Sequence, residues 1–437
     1  MYQSGFVRKP VLEEGLSRMK YQAIPLIYAA NEHFKNTIRF AVEFNEDIDP
    51  ASLIYAVEQV QKRYPYFSVK IEKEGEAFTL AENDLPFVIA ADEKPVCLNS
   101  TASNGHLLAF ARKDRTVWVD VSHFICDGNG LAPLVKTLVC YYEEHRYGID
   151  GIDTGSIRLV TDKIDEEEYL YPFPETPIPN TDAISIRPRE YTPFFFEDSL
   201  FDDKGNYAYN LQIPQKDLMR YAKSGDGSPV SFISVMLFEA LMDLYPETDK
   251  DIVFQIPHEY RKVLNRPLSH DCLARVFPVK LAAKDRNKSV EMLNISVRGQ
   301  IVLGSDESAD IEAINGMLKL NAYMQALPLE GKKQAMLGLV AGSLKKGTFG
   351  VSYTGNISWG GLEKHIRDIH LYAGENGRHD SLGVELFTLG DVFSLCLMQP
   401  GKNPAFVRKL IQSFARHGIE CRLMSEERYQ LADYKLP

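Results

Sequence analysis

The hydrophobic positions near the start of the chain follow the period of a strand and then the period of a helix. The segment TIRFAVEF, residues 37–44, carries an apolar residue at every second position, which predicts a strand. Asp49 and Pro50 come next and are typical of the first positions of a helix. The residues after them are apolar at helical spacing: Leu53, Ile54, Val57 and Val60. We therefore predict a strand followed by a helix that packs against it.

Two more strands and a second helix follow. The segments HLLAFARK (106–113) and TVWVDVSHF (116–124) predict a pair of strands that turns at Lys113 and Asp114. The segment LAPLVKTLVCYY (131–142) then carries an apolar stripe at helical spacing. Strands and helices that alternate in this way predict a mixed sheet with helices packed against it, which is an α/β fold.

The second half of the chain resumes the alternation after an interruption by prolines. Six prolines stand between residues 171 and 195: Pro172, Pro174, Pro177, Pro179, Pro188 and Pro193. After them, patterns predict a strand at 206–213, a helix at 214–223, a buried helix at 230–245 and a strand at 251–257. The tail predicts a hairpin turning at Gly390 and Asp391, then a last helix ending at Gly418. We predict subdomains at 1–170 and 196–437, joined by a crossover at 171–195.

Composition excludes several classes of protein. Hydrophobic residues make up 45% of the 437 residues, as in a globular protein that buries a core. The net charge of -11 disfavours nucleic acid as a partner. The N-terminus lacks a signal-peptide core and the longest early apolar run, at 23–30, is far shorter than the ~20 residues of a membrane span, so we expect a cytoplasmic protein. The cysteines at 97, 126, 140, 272, 396 and 421 form no CxxC pair, which predicts reduced thiols and no metal site.

The segment VDVSHFICDGNG, residues 119–130, carries the candidate chemistry. Strand alternation places His123 on the same face as the valines before it. In one interpretation His123 is a core residue that donates to a backbone carbonyl, Asp127 caps the next helix, and Gly128 and Gly130 permit the turn. In the other, its neutral imidazole is a base that removes a proton from a hydroxyl or an amine. A metal site is disfavoured because no other residues have matching ligand spacing.

The same segment resembles a known motif. HFICDG is similar to the His-x-x-x-Asp-Gly motif of the CoA-dependent acyltransferase superfamily, which includes chloramphenicol acetyltransferase, condensation domains of peptide synthetases and alcohol acetyltransferases. IPHEYRKVLNRP (256–267) resembles the family's Pro-x-x-x-Arg segment, and SYTGNISWGG (352–361) resembles its late strand beside the active site. With the flanking strand and helix and the proline-rich crossover, the resemblance covers most of the chain.

The resemblance implies a fold and a reaction. The fold would consist of two chloramphenicol acetyltransferase-like subdomains, each a mixed sheet packed by helices, with an active-site tunnel between them. The protein would then transfer an acyl group from CoA to a hydroxyl or amine of a small-molecule acceptor, as alcohol acetyltransferases do. Acyl-CoA would be a co-substrate, and no cofactor would be tightly bound.

The resemblance also implies roles for individual residues. His123 would be the general base, Asp127 would pair with Arg261 to hold the loop, and Gly128 would allow the turn. Thr354 or Asn356 could contact the oxyanion of the tetrahedral intermediate, although a plain role at the end of a strand is the alternative for both. No Gly-x-Ser-x-Gly elbow is present and nothing marks Cys126 as an activated thiol, so we expect direct transfer without an acyl-enzyme.

Departures from the family pattern leave alternatives open. Ser122 stands where condensation domains usually carry another histidine, which favours a free-standing acyltransferase, and the Asp-Phe-Gly-Trp-Gly signature of plant enzymes is missing. A non-catalytic acyl or metabolite binder and a condensation-type enzyme that uses an acyl carrier protein are the other hypotheses. Four lysines could attract CoA phosphates or could be solvated surface residues: Lys332, Lys333, Lys345 and Lys346.

Overall fold

The computed structural model describes residues 25–29, 35–148, 152–180, 191–197, 200, 205–224, 226–344, 347–355, 357–374 and 381–437. The strands of these residues are β1 Thr37–Phe44, β2 Val69–Glu74, β3 Ala77–Glu82, β4 Ile89–Ala90, β5 Leu108–Lys113, β6 Thr116–Ser122, β7 Asn206–Pro214, β8 Asp251–Glu259, β9 Ala274–Ala282, β10 Phe349–Tyr353, β11 Ile366–Ala373, β12 Leu382–Leu389, β13 Val392–Pro400 and β14 Arg422–Tyr429. The helices are α1 Pro50–Arg63, α2 Gly128–Tyr147, α3 Gln215–Ser224, α4 Pro229–Leu244, α5 Arg261–Leu264, α6 Val290–Gly304, α7 Glu307–Gln325, α8 Leu329–Leu344 and α9 Ala405–Arg416.

The first sheet has the strand order β11-β1-β6-β5-β4. It is mixed, because β4 and β5 are parallel while the other neighbours are antiparallel. The alternating residues of β1 and β6 point into one core with α1 and α2. Asp49 caps α1 by accepting a hydrogen bond from the Ser52 N–H at 2.7 Å, as its position before Pro50 predicted. Ile54 was predicted to face the core. It is instead 52% exposed, because it lies on the side of α1 that faces solvent.

The second sheet has the strand order β14-β7-β13-β12-β10-β8-β9. It is also mixed, since β10 runs parallel to both β8 and β12. Helices α4 and α9 pack against one face and form a second core with β7, β8, β10, β12 and β13. The predicted α/β architecture of two mixed sheets, each packed by helices, is therefore confirmed.

The two halves of the structure do not divide at 171–195, because two segments from the second half of the sequence pack with the first half. Strand β11 comes from the second half of the sequence but pairs along the whole of β1 in the first sheet. The C-terminal segment also returns to the first half, where the Thr37 hydroxyl donates to the Ala432 carbonyl at 2.8 Å. Within the described residues, no helix is both long and apolar enough to cross a membrane.

Glu168, which ends an acidic run just before the crossover, is a buried carboxylate with several hydrogen-bond partners. Glu168, the last residue of the run DEEE, accepts both terminal nitrogens of Arg63 on α1, at 2.9 and 2.8 Å. It also accepts the Tyr66 hydroxyl at 2.6 Å and Arg158 Nη1 at 3.1 Å. Burial raises the pKa of Glu168, but these hydrogen bonds and cations outweigh it and hold the pKa below its ordinary value. The start of the crossover is thus fixed to the first subdomain by one carboxylate.

We predict that Glu168→Ala lowers the free energy of unfolding by roughly 3 to 5 kcal/mol, because it leaves the Arg63 cation buried and unpaired. Since the folded-state pKa of Glu168 is depressed, this contribution is present at neutral pH and is lost as the pH falls through that pKa. Chemical denaturation at pH 7 and at acid pH measures both effects. The exposed neighbour Glu166→Ala is the control, and equal losses for the two variants would contradict the anchor.

Candidate active site

His123 lies in the turn after β6, because that strand ends at Ser122. Its backbone N–H donates to the Asn36 carbonyl at 2.9 Å, and its half-buried ring has Nδ1 2.9 Å from the Cys126 carbonyl oxygen. A carbonyl only accepts, so Nδ1 carries a proton and Nε2 holds the lone pair of the neutral ring. The contact expected of a core histidine therefore also fixes the tautomer that a base would use.

Asp127 caps α2 and forms an ion pair at the same time. Its Oδ1 accepts the Gly130 N–H at 2.8 Å, which is the helix cap, and also accepts Arg261 Nη2 at 2.7 Å. Its Oδ2 accepts the Leu273 N–H at 3.0 Å, a contact between residues 146 positions apart. Both members of the ion pair are buried. The two interpretations of Asp127 were therefore not exclusive, since one carboxylate satisfies the helix terminus and the cation.

Arg261 uses its remaining donors on the segment that leads to Cys272. Its Nε donates to the Ser269 carbonyl at 3.1 Å and its Nη2 to the Asp271 carbonyl at 2.8 Å, while Nη1 meets Glu259 Oε2 at 2.8 Å. Burial lowers the pKa of Arg261, but the carboxylates of Asp127 and Glu259 raise it, and the pKa lies above its ordinary value on balance. The guanidinium stays charged and joins the turn of His123 to a loop of the second half.

The two glycines of the motif are required for space rather than for an unusual backbone. Neither Gly128 nor Gly130 has a positive φ, so neither is needed here for a left-handed backbone. A Cβ at Gly130 would lie 2.0 Å from the His270 carbonyl oxygen, which no side chain tolerates. A Cβ at Gly128 would lie 3.3 Å from Cγ2 of Thr354. The motif turn and the segment after β10 therefore approach each other closely.

Of the two predicted oxyanion contacts, the structure describes one. Thr354 follows β10 beside Gly128, and its Oγ1 is buried without a hydrogen-bond partner in the described part of the chain. Asn356 lies outside the described residues. An unpaired buried hydroxyl is a rare and costly feature, so Thr354 has a free donor next to the motif.

The fold brings a cysteine to His123 that no spacing could reveal. Cys272, just before β9, is close enough to the His123 ring to raise the pKa of its imidazole. Burial lowers the pKa of His123, whereas Cys272 and, to a lesser degree, Asp127 raise it, and on balance it lies above the ordinary value.

Cys126, the cysteine considered from the motif, has the opposite surroundings. It is fully buried, and burial together with the charge of Asp127 raises the pKa of its thiol well above the ordinary value. Such a thiol is unreactive. Cys272, by contrast, is half-buried.

Glu385 is a second residue that the motifs did not indicate. It lies on β12 beside Ser352 of β10, and its strand neighbours Val384 and Leu386 point into the second core, so its own side chain faces the other way. Burial raises the pKa of Glu385, while Ser352 and His123 lower it. On balance the pKa lies above its ordinary value, at about 7. The only available signal was one charge within an otherwise apolar strand, GVELFTL.

A cavity of about 590 Å³ opens between the two halves beside the motif. Its walls come from the first turns of α2, from the loop around α5 and from the segment after β10. Four cationic side chains and one carboxylate line it: Lys136, Arg158, Arg261, Lys262 and Glu259. Among the described residues, no three His, Cys, Asp or Glu side chains cluster as metal ligands would.

The predicted lysines lie elsewhere. Lys332 is buried, and its ammonium donates to the Glu76 carbonyl at 2.6 Å, so a solvated surface position is wrong for this residue. Lys333 pairs with Glu330 at 2.8 Å. Lys345 and Lys346 lie outside the described residues.

Comparison with solved structures identifies the architecture. TRI101 of F. graminearum, in complex with coenzyme A and deoxynivalenol, matches with a TM-score of 0.59 over 92% of this chain and 99% of that one, at 9% identity. Polyketide synthase associated protein 5 of Mycobacterium tuberculosis matches with a TM-score of 0.52 over 90% and 95%, at 14% identity. The condensation domain of the Monacolin K synthase MokA matches with a TM-score of 0.50 over 90% and 96%, at 10% identity. This chain has the two-subdomain fold of chloramphenicol acetyltransferase. No family model and no curated protein matches it.

Within this chloramphenicol acetyltransferase-like fold, we predict that Asp127 and Arg261 are energetically coupled. Either single change to Ala should cost ~3 to 5 kcal/mol of unfolding free energy, because it strands a buried charge. The double variant should cost less than the sum, with a coupling of roughly 1 kcal/mol or more. A denaturation double-mutant cycle measures this.

Asp127→Asn separates the cap from the charge in the same experiment. The amide oxygen still accepts the Gly130 N–H, so this variant keeps the helix cap, which is worth ~1 kcal/mol, and loses the charge of the ion pair together with the acceptor for the Leu273 N–H. Additive losses for the two Ala variants would reject the coupling and leave Asp127 as a helix cap.

We also predict that Cys272→Ala lowers the pKa of the His123 imidazole. The substitution removes the strongest interaction that raises this pKa and leaves burial, which lowers it. An NMR titration of ¹⁵N-histidine-labelled protein, with His123→Gln to assign the signal, measures the shift. Cys97→Ala, a change at another half-buried cysteine, should leave the titration unchanged. An unaltered or higher pKa in Cys272→Ala would refute this effect of Cys272 on His123.

Proposed function

We propose that this protein transfers an acyl group from a CoA thioester to the hydroxyl or amine of a small-molecule acceptor, with His123 as the general base. One observation carries the proposal: Nδ1 of His123 lies 2.9 Å from the Cys126 carbonyl oxygen and donates to it, which leaves Nε2 as the ring nitrogen that can take a proton. A base must hold the correct tautomer before substrate arrives. The fold supports the same reading, because TRI101 carries coenzyme A and deoxynivalenol in a structure of this architecture.

The cavity beside α2 supports a CoA donor. Arg158 and Arg261 are paired with Glu168 and Asp127, so the positive charge that the cavity offers to CoA phosphates rests on Lys136 and Lys262. Lys262 is exposed and available, and the N-terminus of α2 adds positive potential. We propose that acyl-CoA enters here, through a tunnel between subdomains 1–170 and 196–437, as a co-substrate that is not tightly bound.

Thr354 is the residue we propose for the oxyanion. The thioester carbonyl gains negative charge when it is attacked, and a preorganised donor at that point typically contributes ~3 kcal/mol. The unpaired Oγ1 of Thr354 lies beside the motif turn and has no competing acceptor among the described residues. Asp127, Arg261 and Gly130 would act indirectly, by fixing the turn that carries His123.

The test is a screen of acyl-CoAs of increasing chain length against pooled alcohols and amines, with mass spectrometry of the products. We expect free CoA and acylated acceptor in equal amounts. His123→Ala should stay folded and lower turnover by roughly 10²- to 10⁴-fold, because it removes the base without opening a large core cavity.

His145→Ala is the matched control, since His145 is an exposed histidine about 25 Å further along α2. Its turnover should equal that of the wild type. Near-wild-type turnover of His123→Ala would end the general-base assignment. Acylated product from an acyl carrier protein, with none from any acyl-CoA, would replace the donor and favour the condensation-type reaction.

A further inference from the structure

A second cavity, of about 200 Å³, lies where two helices of the second half of the sequence meet the β2–β3 hairpin of the first half. Its deep wall is buried and comes from both halves: Tyr28 of the 3₁₀ helix Pro25–Ala29, Phe78 of β3, Met324 of α7 and Lys332 of α8. Among the described residues, it shares no lining residue with the larger cavity beside α2. This second cavity is therefore separate from the site proposed for CoA.

The ammonium of Lys332 is the charged group of the deep wall. Lys332 is only 5% exposed, and its one hydrogen bond among the described residues goes to the Glu76 carbonyl at 2.6 Å. The Glu76 carboxylate is used elsewhere, because its Oε2 accepts the Leu329 N–H at 2.7 Å. An ammonium has three N–H donors, so two of them have no partner in the described part of the chain. Burying a cation without an anion is costly, so this position favours a ligand with a negative charge.

The rest of the deep wall is apolar and aromatic. The rings of Tyr28 and Phe78 stack with their centres 5.4 Å apart, and Met324 adds a buried thioether side chain. Lys332 Nζ lies 5.7 Å from the centre of the Tyr28 ring, a contact that attracts the cation but gives its N–H groups no oxygen acceptor. Gln325, which is exposed, lies at the rim. A mainly apolar wall with few polar groups is typical of a site for a small organic molecule.

The volume of the cavity limits the size of that molecule. An engineered cavity of about 150 Å³ in another protein binds benzene, so about 200 Å³ has room for one ring that carries a carboxylate. The same volume is too small for coenzyme A. The second cavity is therefore suited to a ligand of a different class from the proposed donor.

We propose that the second cavity binds a small organic acid, with the carboxylate on the Lys332 ammonium and the apolar body against Tyr28, Phe78 and Met324. The carboxylate supplies acceptors for the two remaining N–H groups, and a hydrogen bond between charged groups is roughly twice as strong as one between neutral groups. Because the walls come from both halves, the bound acid links α7 and α8 to the β2–β3 hairpin. This inference does not depend on the proposed acyl transfer.

An NMR titration of the full-length protein, labelled with ¹³C-methyl methionine, tests the inference. Sodium benzoate is the probe, and benzyl alcohol and inorganic phosphate are its uncharged and its non-aromatic comparisons at constant ionic strength. We expect a saturable shift of the Met324 signal, assigned with Met324→Leu, and a Kd for benzoate of about 1 mM or lower. Benzyl alcohol and phosphate should each bind about tenfold or more weakly, because each lacks one of the two kinds of contact.

Two variants separate the charge from the space. Lys332→Met removes the charge and keeps an unbranched apolar side chain, so the protein should stay folded and bind benzoate about tenfold or more weakly. Ala77→Leu enlarges a side chain of the cavity wall, leaves Lys332 unchanged and should also weaken binding. Lys333→Met is the matched control, because Lys333 pairs with Glu330 and does not line the cavity, and its affinity should equal that of the wild type.

A Met324 signal that does not shift with benzoate would overturn the inference. Unchanged affinity in Lys332→Met or in Ala77→Leu would also overturn it, and Ala77→Leu decides alone if Lys332→Met does not fold. Equal affinity for phosphate and benzoate would show that only an anion is bound, and would refute the organic acid as the ligand. Each of these outcomes leaves the proposed acyl transfer and its own test unaffected.

Discussion

The carboxylate of Asp127 is the interaction on which the rest of the site depends. It accepts hydrogen bonds from the Gly130 N–H in the first turn of α2, from the guanidinium of Arg261 and from the Leu273 N–H. These donors come from three separate stretches of the chain. The carboxylate is buried, so each contact is strong and its loss would leave a charge or an N–H without a partner. One side chain thus joins the turn that carries His123 in the first half to the segment that precedes β9 in the second. Gly130 permits this arrangement, because any side chain there would collide with the loop of His270.

The site is also one electrostatic unit. Cys272 raises the pKa of His123, and His123 in turn lowers the pKa of the Glu385 carboxyl. Burial weakens the charged form of all such groups, so each depends on the charge state of its neighbours. A substrate that changes one of these charges changes the others. This coupling distinguishes the site from a single histidine in a polar cleft.

Local patterns predicted several elements with a face buried against a core, but missed others such as the buried strand β11, and missed features that depend on distant contacts. β1, α1, α2, β7 and α4 appear as their periodicity and caps indicated, since burial against a core imposes those periods. β14 was not predicted, because it is an edge strand whose residues are mostly exposed or half-buried and so carry no clean alternation. The ion pair of Asp127 and Arg261 was anticipated only through resemblance to a family. The effect of Cys272 on the pKa of His123 had no signal in the sequence, because neither residue has a local reason to interact with the other.

The pairing of β11 with β1 limits how the chain can be divided into fragments. A fragment that ends before the crossover would keep β1 with one edge unpaired, and TIRFAVEF is an apolar strand suited to pairing with another molecule. The complementary fragment would carry β11 without its sheet. Each piece supplies what the other lacks, so the halves are obligate partners rather than modules that could have been recombined independently. Reassembly of a split chain would proceed by strand addition, with the segment IRDIHLYA as the piece that closes the first sheet.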